Sequence, residues 1–368
     1  MTAKPPSYSR KKVVVIGGGN GSYIVGSGLR SRSVETTIIS TPADSGGDSG
    51  DIRGEMGEML PPGDMRRGMM ALMDSQEADQ LRQWFDHRLD VENPTKDRKR
   101  NVGNFIISSA IDRFGPIEGL QFLERVFKVQ GRVLPMSIDD VHLFGRLDDG
   151  HILDEETKID LRPLDDHRIL TQVWLEPSAH ICREAEQAIL EADLITLGPG
   201  DLFTSIAPNL LVKGVNEVLR ASKATIVAIP SLMTKWSETR DYQVHDFVHK
   251  MVELGIGDSK FDFAIVNTTV IPPDILKKYL EDEKSTPMLV RNRQELKKLK
   301  ESAESIFPVD LLSKQGLRKG YVRHDPRKVA HALMDILDPS RSRLSVSDNS
   351  KDLMEMLKRL GDPALRDR

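Results

Sequence analysis

Apolar residues in this chain come in short, β-branched runs. Each run closes on glycine or a small polar residue and is followed by a helical pattern. Lys12–Ile16 (KVVVI) ends in glycines, and Ser22–Leu29 after it has helical spacing. Thr36–Ser40 (TTIIS), Asp193–Leu197 (DLITL), Ala224–Ile229 (ATIVAI) and Phe261–Val266 (FDFAIV) repeat the pattern. Such alternation predicts a mostly parallel sheet with helices on its faces. Met288–Val290 and Ile306–Val309 are candidate edge strands. Asp64–Asp74 and Pro326–Leu337 are predicted helices, with Pro61–Pro62 as the stop signal ahead of the first.

Two stretches break the alternation. Residues 77–130 read as mainly helical, and over 131–180 the runs VLPM, VHLFGRL and TQVWLEP predict an antiparallel excursion. The organisation expected is one α/β domain over 12–338 with an insertion at about 77–180. Residues 1–11 are expected to be a disordered N-terminus, and 339–368 a linker followed by a short amphipathic helix, Asp352–Leu360.

Composition narrows the class. The 368 residues are 39% hydrophobic and 29% charged, ordinary for a soluble globular protein. A net charge of −4 gives no footprint for nucleic acid. No apolar run is long enough to span a membrane, and the start lacks a signal-peptide core, so the expected compartment is the cytoplasm. A single cysteine, Cys182, excludes a disulfide framework within the chain and a cysteine-based zinc site.

Candidate chemistry gathers at strand ends. Gly17–Gly21 (GGGNG) follows the first strand, so Gly18, Gly19, Asn20 and Gly21 can present backbone N–H groups to a phosphate at a helix N-terminus. The alternative is a plain strand-to-helix turn. The spacing is neither the strict dinucleotide fingerprint nor a P-loop. Leu197–Ser205 (LGPGDLFTS) is a second such loop. There Gly198 and Gly200 allow close approach, Thr204 and Ser205 offer hydroxyls, and Asp201 is either a helix cap or a polar ligand contact. Two glycine-rich strand ends in one open sheet fit a diphosphate-bearing ligand better than a single phosphate.

Residues 43–68 hold seven Gly, four Asp and three Arg among 26 residues and predict a long functional loop. Asp44, Asp64 and Arg66 are its candidate polar contacts. Asn104, Asn209 and Asn267 flank element ends, as caps or as ligand contacts. Tyr279 and Arg323 are candidates for stacking and phosphate pairing. His245 and His249 stand i,i+4 but lack the rest of a metal motif, and Lys96–Arg100 (KDRKR) reads as a solvated turn. No catalytic residue can be singled out.

Taken in order, VVVIGGGNG, PADSGGDSGDIR, LPPGDMRRGMMAL, NVGNFIISS, LGPGDLFTSIAPNLLV, IPSLMT and RHD resemble the YvcK/CofD-like proteins over about residues 12–337, most closely the YvcK branch. The resemblance implies a Rossmann-like three-layer α/β/α fold with an inserted helical and antiparallel subdomain. It implies binding of UDP-sugars such as UDP-N-acetylglucosamine, with nicotinamide dinucleotides as a further ligand class. It also implies a regulatory role in cell shape and envelope synthesis linked to carbon metabolism. No cofactor is required in that branch, and no settled catalysis is implied; a homodimer and regulatory protein partners are compatible with it.

The CofD branch implies instead a Mg²⁺-dependent transferase, moving a phosphorus-bearing group from a nucleotide diphosphate to an alcohol. This chain departs from the usual pattern at Asn20, where a Thr is common, and at Lys235. It also departs at Asp44 and Asp48, where the usual adjacent Asp pair is split. The split pair is the sequence argument for binding over catalysis. The NAD(P) reading is weakened by the absence of the ribose-binding acid.

Overall fold

The computed structural model describes residues 10–56, 60–74, 78–90 and 99–340. Among them, seven strands form one parallel sheet in the order β12-β11-β10-β9-β1-β2-β5. These are β1 (Lys11–Gly17), β2 (Val34–Ser40), β5 (Arg132–Pro135), β9 (Leu194–Leu197), β10 (Thr225–Ala228), β11 (Phe261–Asn267) and β12 (Ala303–Val309). Their continuous apolar runs follow from burial on both faces: Val13, Val14, Val15 and Ile16 of β1 are all at most 1% exposed.

One face is covered by α1 (Gly19–Leu29), α3 (Pro62–Leu72), α5 (Val102–Phe114), α6 (Pro116–Val126) and the helix Pro326–Leu337. Between α1 and α3 lies α2 (Gly47–Met56), and between α3 and α5 lie α4 (Ala78–Asp86) and a two-strand ladder, β3 (Arg88–Leu89) with β4 (Arg100–Asn101). The other face packs Arg183–Leu190, Val215–Ala221 and Val244–Gly255. It also packs a small antiparallel sheet ordered β7-β6-β8, of β6 (His142–Leu147), β7 (Ile152–Leu153) and β8 (Leu170–Glu176). Leu143, Leu147, Val173 and Leu175 point from it into the core, and α7 (Glu156–Asp160) hangs below it.

The sequence expectations are corrected in several places. The stretch 43–68 is not a long loop: its described part holds α2 and the start of α3. It looked like a loop because α2 has almost no apolar face; buried ion pairs hold it instead. Asp48, on its first turn, accepts from Asn101 N at 3.0 Å and Asn104 Nδ2 at 2.8 Å, while Arg53 pairs Asp140 and donates to the Val141 carbonyl at 2.7 Å. Pro62 opens α3 at N1 rather than stopping a segment ahead of it. Arg100 is not a solvated turn residue: its side chain is buried against Asp48 at 3.3 Å, Asp51 at 3.8 Å and Glu55. The VLPM run joins the parallel sheet beside β2 instead of the antiparallel excursion, since it is buried on both sides.

Met288–Val290 forms no strand; the Met288 N–H bonds the Leu232 carbonyl at 2.9 Å and the segment is packed into the core. His245 and His249 hold no metal set among the described residues; His245 is buried beside Asp246, and His249 meets Ser302 Oγ at 3.3 Å. The expected tail helix Asp352–Leu360 and most of the N-terminal segment lie outside the described residues.

Candidate functional site at the sheet switch point

Strand order reverses direction between β1 and β9, the place where open α/β sheets hold ligands. Both glycine loops leave the sheet there. The Gly198 N–H bonds the Ile16 carbonyl at 3.0 Å, tying the end of β9 to β1. Gly19 and Gly198 have φ of +56° and +82°, which only glycine adopts freely. A Cβ on Gly21 would run into the Pro199 carbonyl oxygen, so the two loops touch backbone to backbone.

Above them opens a cavity of about 690 Å³. Of the expected residues, Gly18, Gly19, Asn20, Gly21, Asp44, Asp64, Arg66, Asn104, Gly200, Asp201, Thr204, Ser205, Tyr279 and Arg323 line it. Gly198, Asn209 and Asn267 do not. Gly198 shapes the turn beneath. Asn209 is fully buried and donates to the Ser205 carbonyl at 2.9 Å. Asn267 organises the loop after β11, accepting from Leu311 N at 3.1 Å and donating to the Thr269 carbonyl at 2.8 Å.

Three of the lining residues already have partners within the protein. The Thr204 hydroxyl is committed to Glu238 at 2.8 Å and is not free for phosphate. Asp201 makes no cap hydrogen bond; it pairs Lys235 Nζ at 2.7 Å. Asn104 holds the wall in place, accepting from Arg66 Nε at 2.9 Å and donating to Asp48.

Asp44 and Asp64 both line the cavity beside the first loop, and the Asp44 charge acts on Asp64. Asp64 Oδ1 accepts the Gly19 N–H at 2.7 Å, and Asp44 Oδ1 accepts the Gly46 N–H at 2.8 Å. Burial, reinforced by the Asp44 charge, pushes the Asp64 carboxyl up to about 7. Burial likewise raises Asp44, against hydrogen bonds from Gly46 and Ser49. Asp48 turns into the wall, accepting from Asn101 and Asn104, while Asp44 and Asp64 both line the cavity.

Sequence reasoning missed the opposite wall. Glu156 and Asp160 of α7 line the cavity with Lys235 and Ser231. Burial, then Asp44, raises Glu156 to about 9. Lys235 pairs Asp160, Asp201 and, at 3.2 Å, the fully buried Glu238. Burial alone would lower this ammonium, but Glu238, Asp201 and Asp160 outweigh it and raise it. Asp160, Asp201 and Glu238 are spaced like metal ligands, yet the ammonium already stands among them. The departure at Lys235 was visible in the sequence; its partners were not.

The family of 2-phospho-L-lactate transferase CofD matches this chain over residues 13–306. A gluconeogenesis factor of Listeria innocua is 35% identical over 332 residues, covering 89% of this chain and 96% of the relative. One from Listeria monocytogenes is 33% identical over the same shares. The crystal structure of a UPF0052 family member from Bacillus halodurans superposes with a TM-score of 0.79 at 31% identity, covering 89% of this chain and all of that one. A family match over most of the chain, relatives matched along nearly their whole length and a shared fold agree, and this chain belongs to the YvcK/CofD-like family.

Proposed function

We propose that this chain binds a nucleotide sugar of the uridine type and acts by binding rather than turnover, coupling carbon metabolism to envelope synthesis and cell shape. The observation that carries the reading is the contact of two glycine-rich strand ends under one polar cavity. Backbone N–H groups of Gly18–Gly21 and of Gly200 and its neighbours suit a diphosphate. Tyr279, whose hydroxyl accepts from Val322 N at 3.0 Å, stands with Leu232, Met233 and Tyr321 on the β10–β12 side, an apolar setting for a base. Arg323 is exposed at that rim and suits phosphate charge. Asp44 and Glu156 suit sugar or ribose hydroxyls. The uridine preference rests on the YvcK resemblance alone.

Calorimetry with UDP-N-acetylglucosamine, UDP-glucose, NAD and GDP tests it. The expected result is saturable binding of the uridine nucleotides, tighter than NAD. Absence of binding by both uridine nucleotides sinks the reading.

The two carboxylates of Asp44 and Asp64 in the cavity lining favour a second reading, the Mg²⁺-dependent transferase. Mg²⁺ usually takes one or two carboxylates and completes its shell with water and substrate phosphates, and this pair fits that need. Such an ion would supply charge neutralisation for transfer of a phosphorus-bearing group. Asp44 and Asp64 would orient it, and the glycine loops would hold the donor diphosphate. Magnesium-dependent turnover with a nucleotide diphosphate donor, abolished in Asp44→Asn, would replace the binding-only reading.

A further inference from the structure

Two arginines line the cavity on its β2 side with neutral hydrogen-bond partners. Arg67 of α3 donates Nη1 to Asn20 Oδ1, and Arg88 of β3 donates Nη1 to the Lys99 carbonyl at 3.3 Å. Neither makes an ion pair among the described residues. Behind them Arg66, its side chain 5% exposed, is fixed by Asp86 and by Asn104 Oδ1 at 2.9 Å. The packing around it is tight: a Cβ on Gly103 would meet Arg66 Cδ at 2.7 Å and the Phe85 carbonyl at 2.6 Å.

The three guanidiniums lie close enough to act on one another. Burial is the main influence lowering Arg66; Asp86 opposes it, and Arg67 and Arg88 add to it. Arg67 and Arg88 thus bring positive charge to this wall with no carboxylate hydrogen-bonded to either among the described residues.

A nucleotide sugar leaves that charge unused. Its diphosphate belongs at the glycine loops over β1 and β9, and N-acetylglucosamine is neutral. By strand order the arginines stand across the switch point from Tyr279 and Tyr321. We propose that Arg67 and Arg88, backed by Arg66, form a second anion subsite that takes the phosphate of a small phosphorylated metabolite bound beside the nucleotide sugar. Guanidinium forks match phosphate oxygens two at a time, and two forks on a rigid backing give a directional site. The proposal rests on the nucleotide-sugar reading for its neighbour, but it has its own measurement.

The probe is inorganic phosphate, titrated calorimetrically into the full chain, both free and saturated with UDP-N-acetylglucosamine. Phosphate binding should persist at saturation with its affinity changed by no more than about twofold. Losing the hydrogen bonds of one charged group, Arg88→Ala should weaken phosphate by about tenfold or more. It should leave the nucleotide sugar unaffected, and Arg88→Lys should recover part of the loss. Arg88 is exposed on a two-residue strand, so its removal leaves the core intact, and circular dichroism of Arg88→Ala and Arg88→Gln checks this. The subsite is overturned if the nucleotide sugar displaces phosphate, if phosphate fails to bind, or if Arg88→Ala binds it as the parent does. Arg88-dependent phosphate binding without any uridine-nucleotide binding keeps the subsite and removes the nucleotide-sugar reading instead.

Discussion

Asp64 decides how the first glycine loop meets an anion. Its Oδ1 already accepts the Gly19 N–H, one of the donors a phosphate would use. Burial and Asp44 raise it to about 7, so near neutrality it is partly protonated and repels an anion less. Metal-free binding of UDP-N-acetylglucosamine should therefore weaken as pH rises from about 6 to about 8, and Asp64→Asn should flatten that dependence. Asp44 and Asp64 titrate as a pair, so the midpoint belongs to both. If a metal ion bridges the carboxylates the sign reverses, because the ion needs them ionised: affinity with Mg²⁺ present should then rise with pH. Isothermal titration at three pH values, with and without Mg²⁺, separates the two.

The same group bears on stability. Its folded value is raised above the unfolded carboxylate, so the folded state holds the extra proton between about pH 4 and pH 7. The stability it contributes is present at low pH and lost as pH rises through about 7. Asp64→Asn removes that loss, and urea midpoints at pH 8 should be higher than the parent's, with little difference at pH 4. Equal midpoints at pH 8 would mean the carboxylate is not held up.

At the scale of elements, what was legible was whatever is local. β1 and the helix Pro326–Leu337 were bounded to within a residue because an apolar run with glycine punctuation, or a proline start, is complete in itself. Helix α2 was missed because its stabilising partners are remote: Arg100 lies 52 residues from Asp48 in the chain. A polar helix held by ion pairs looks like a loop until its partners are known. Arg100→Met would remove the guanidinium that stands beside buried Asp48 and Asp51. Breaking a buried pair from one side costs about 3–5 kcal/mol, and denaturant unfolding should show a loss of that size. A loss below about 1 kcal/mol would place these acids in contact with water. The glycine contact is the second element-scale test. Gly21→Ala forces a methyl into the Pro199 carbonyl, with an overpacking cost of about 1–3 kcal/mol and loss of nucleotide binding.

At the scale of the whole molecule, the cavity is a product of chain crossings that no local pattern contains. A mostly parallel sheet could be anticipated from alternation, and with it glycine loops at neighbouring strand ends; the strand order itself could not. Lys235, Glu156 and Asp160 could not, since α7 reaches the cavity only through the packing of the antiparallel sheet on the opposite face. That construction gives a distributed prediction. A ligand seated across the switch point should bind to the folded state alone, adding about 2.7 kcal/mol at a concentration a hundredfold above its dissociation constant. The gain should be visible as a rise in melting temperature. Hydrogen exchange should locate it: saturating UDP-N-acetylglucosamine should slow exchange at residues 18–21 and 200–206 together, and also at 321–325. Protection confined to the first loop would mean a ligand that occupies one strand end, and would remove the argument from paired loops. Protection spreading to α7 would mean that Glu156 and Asp160 close on the sugar, joining the two faces of the sheet through the ligand.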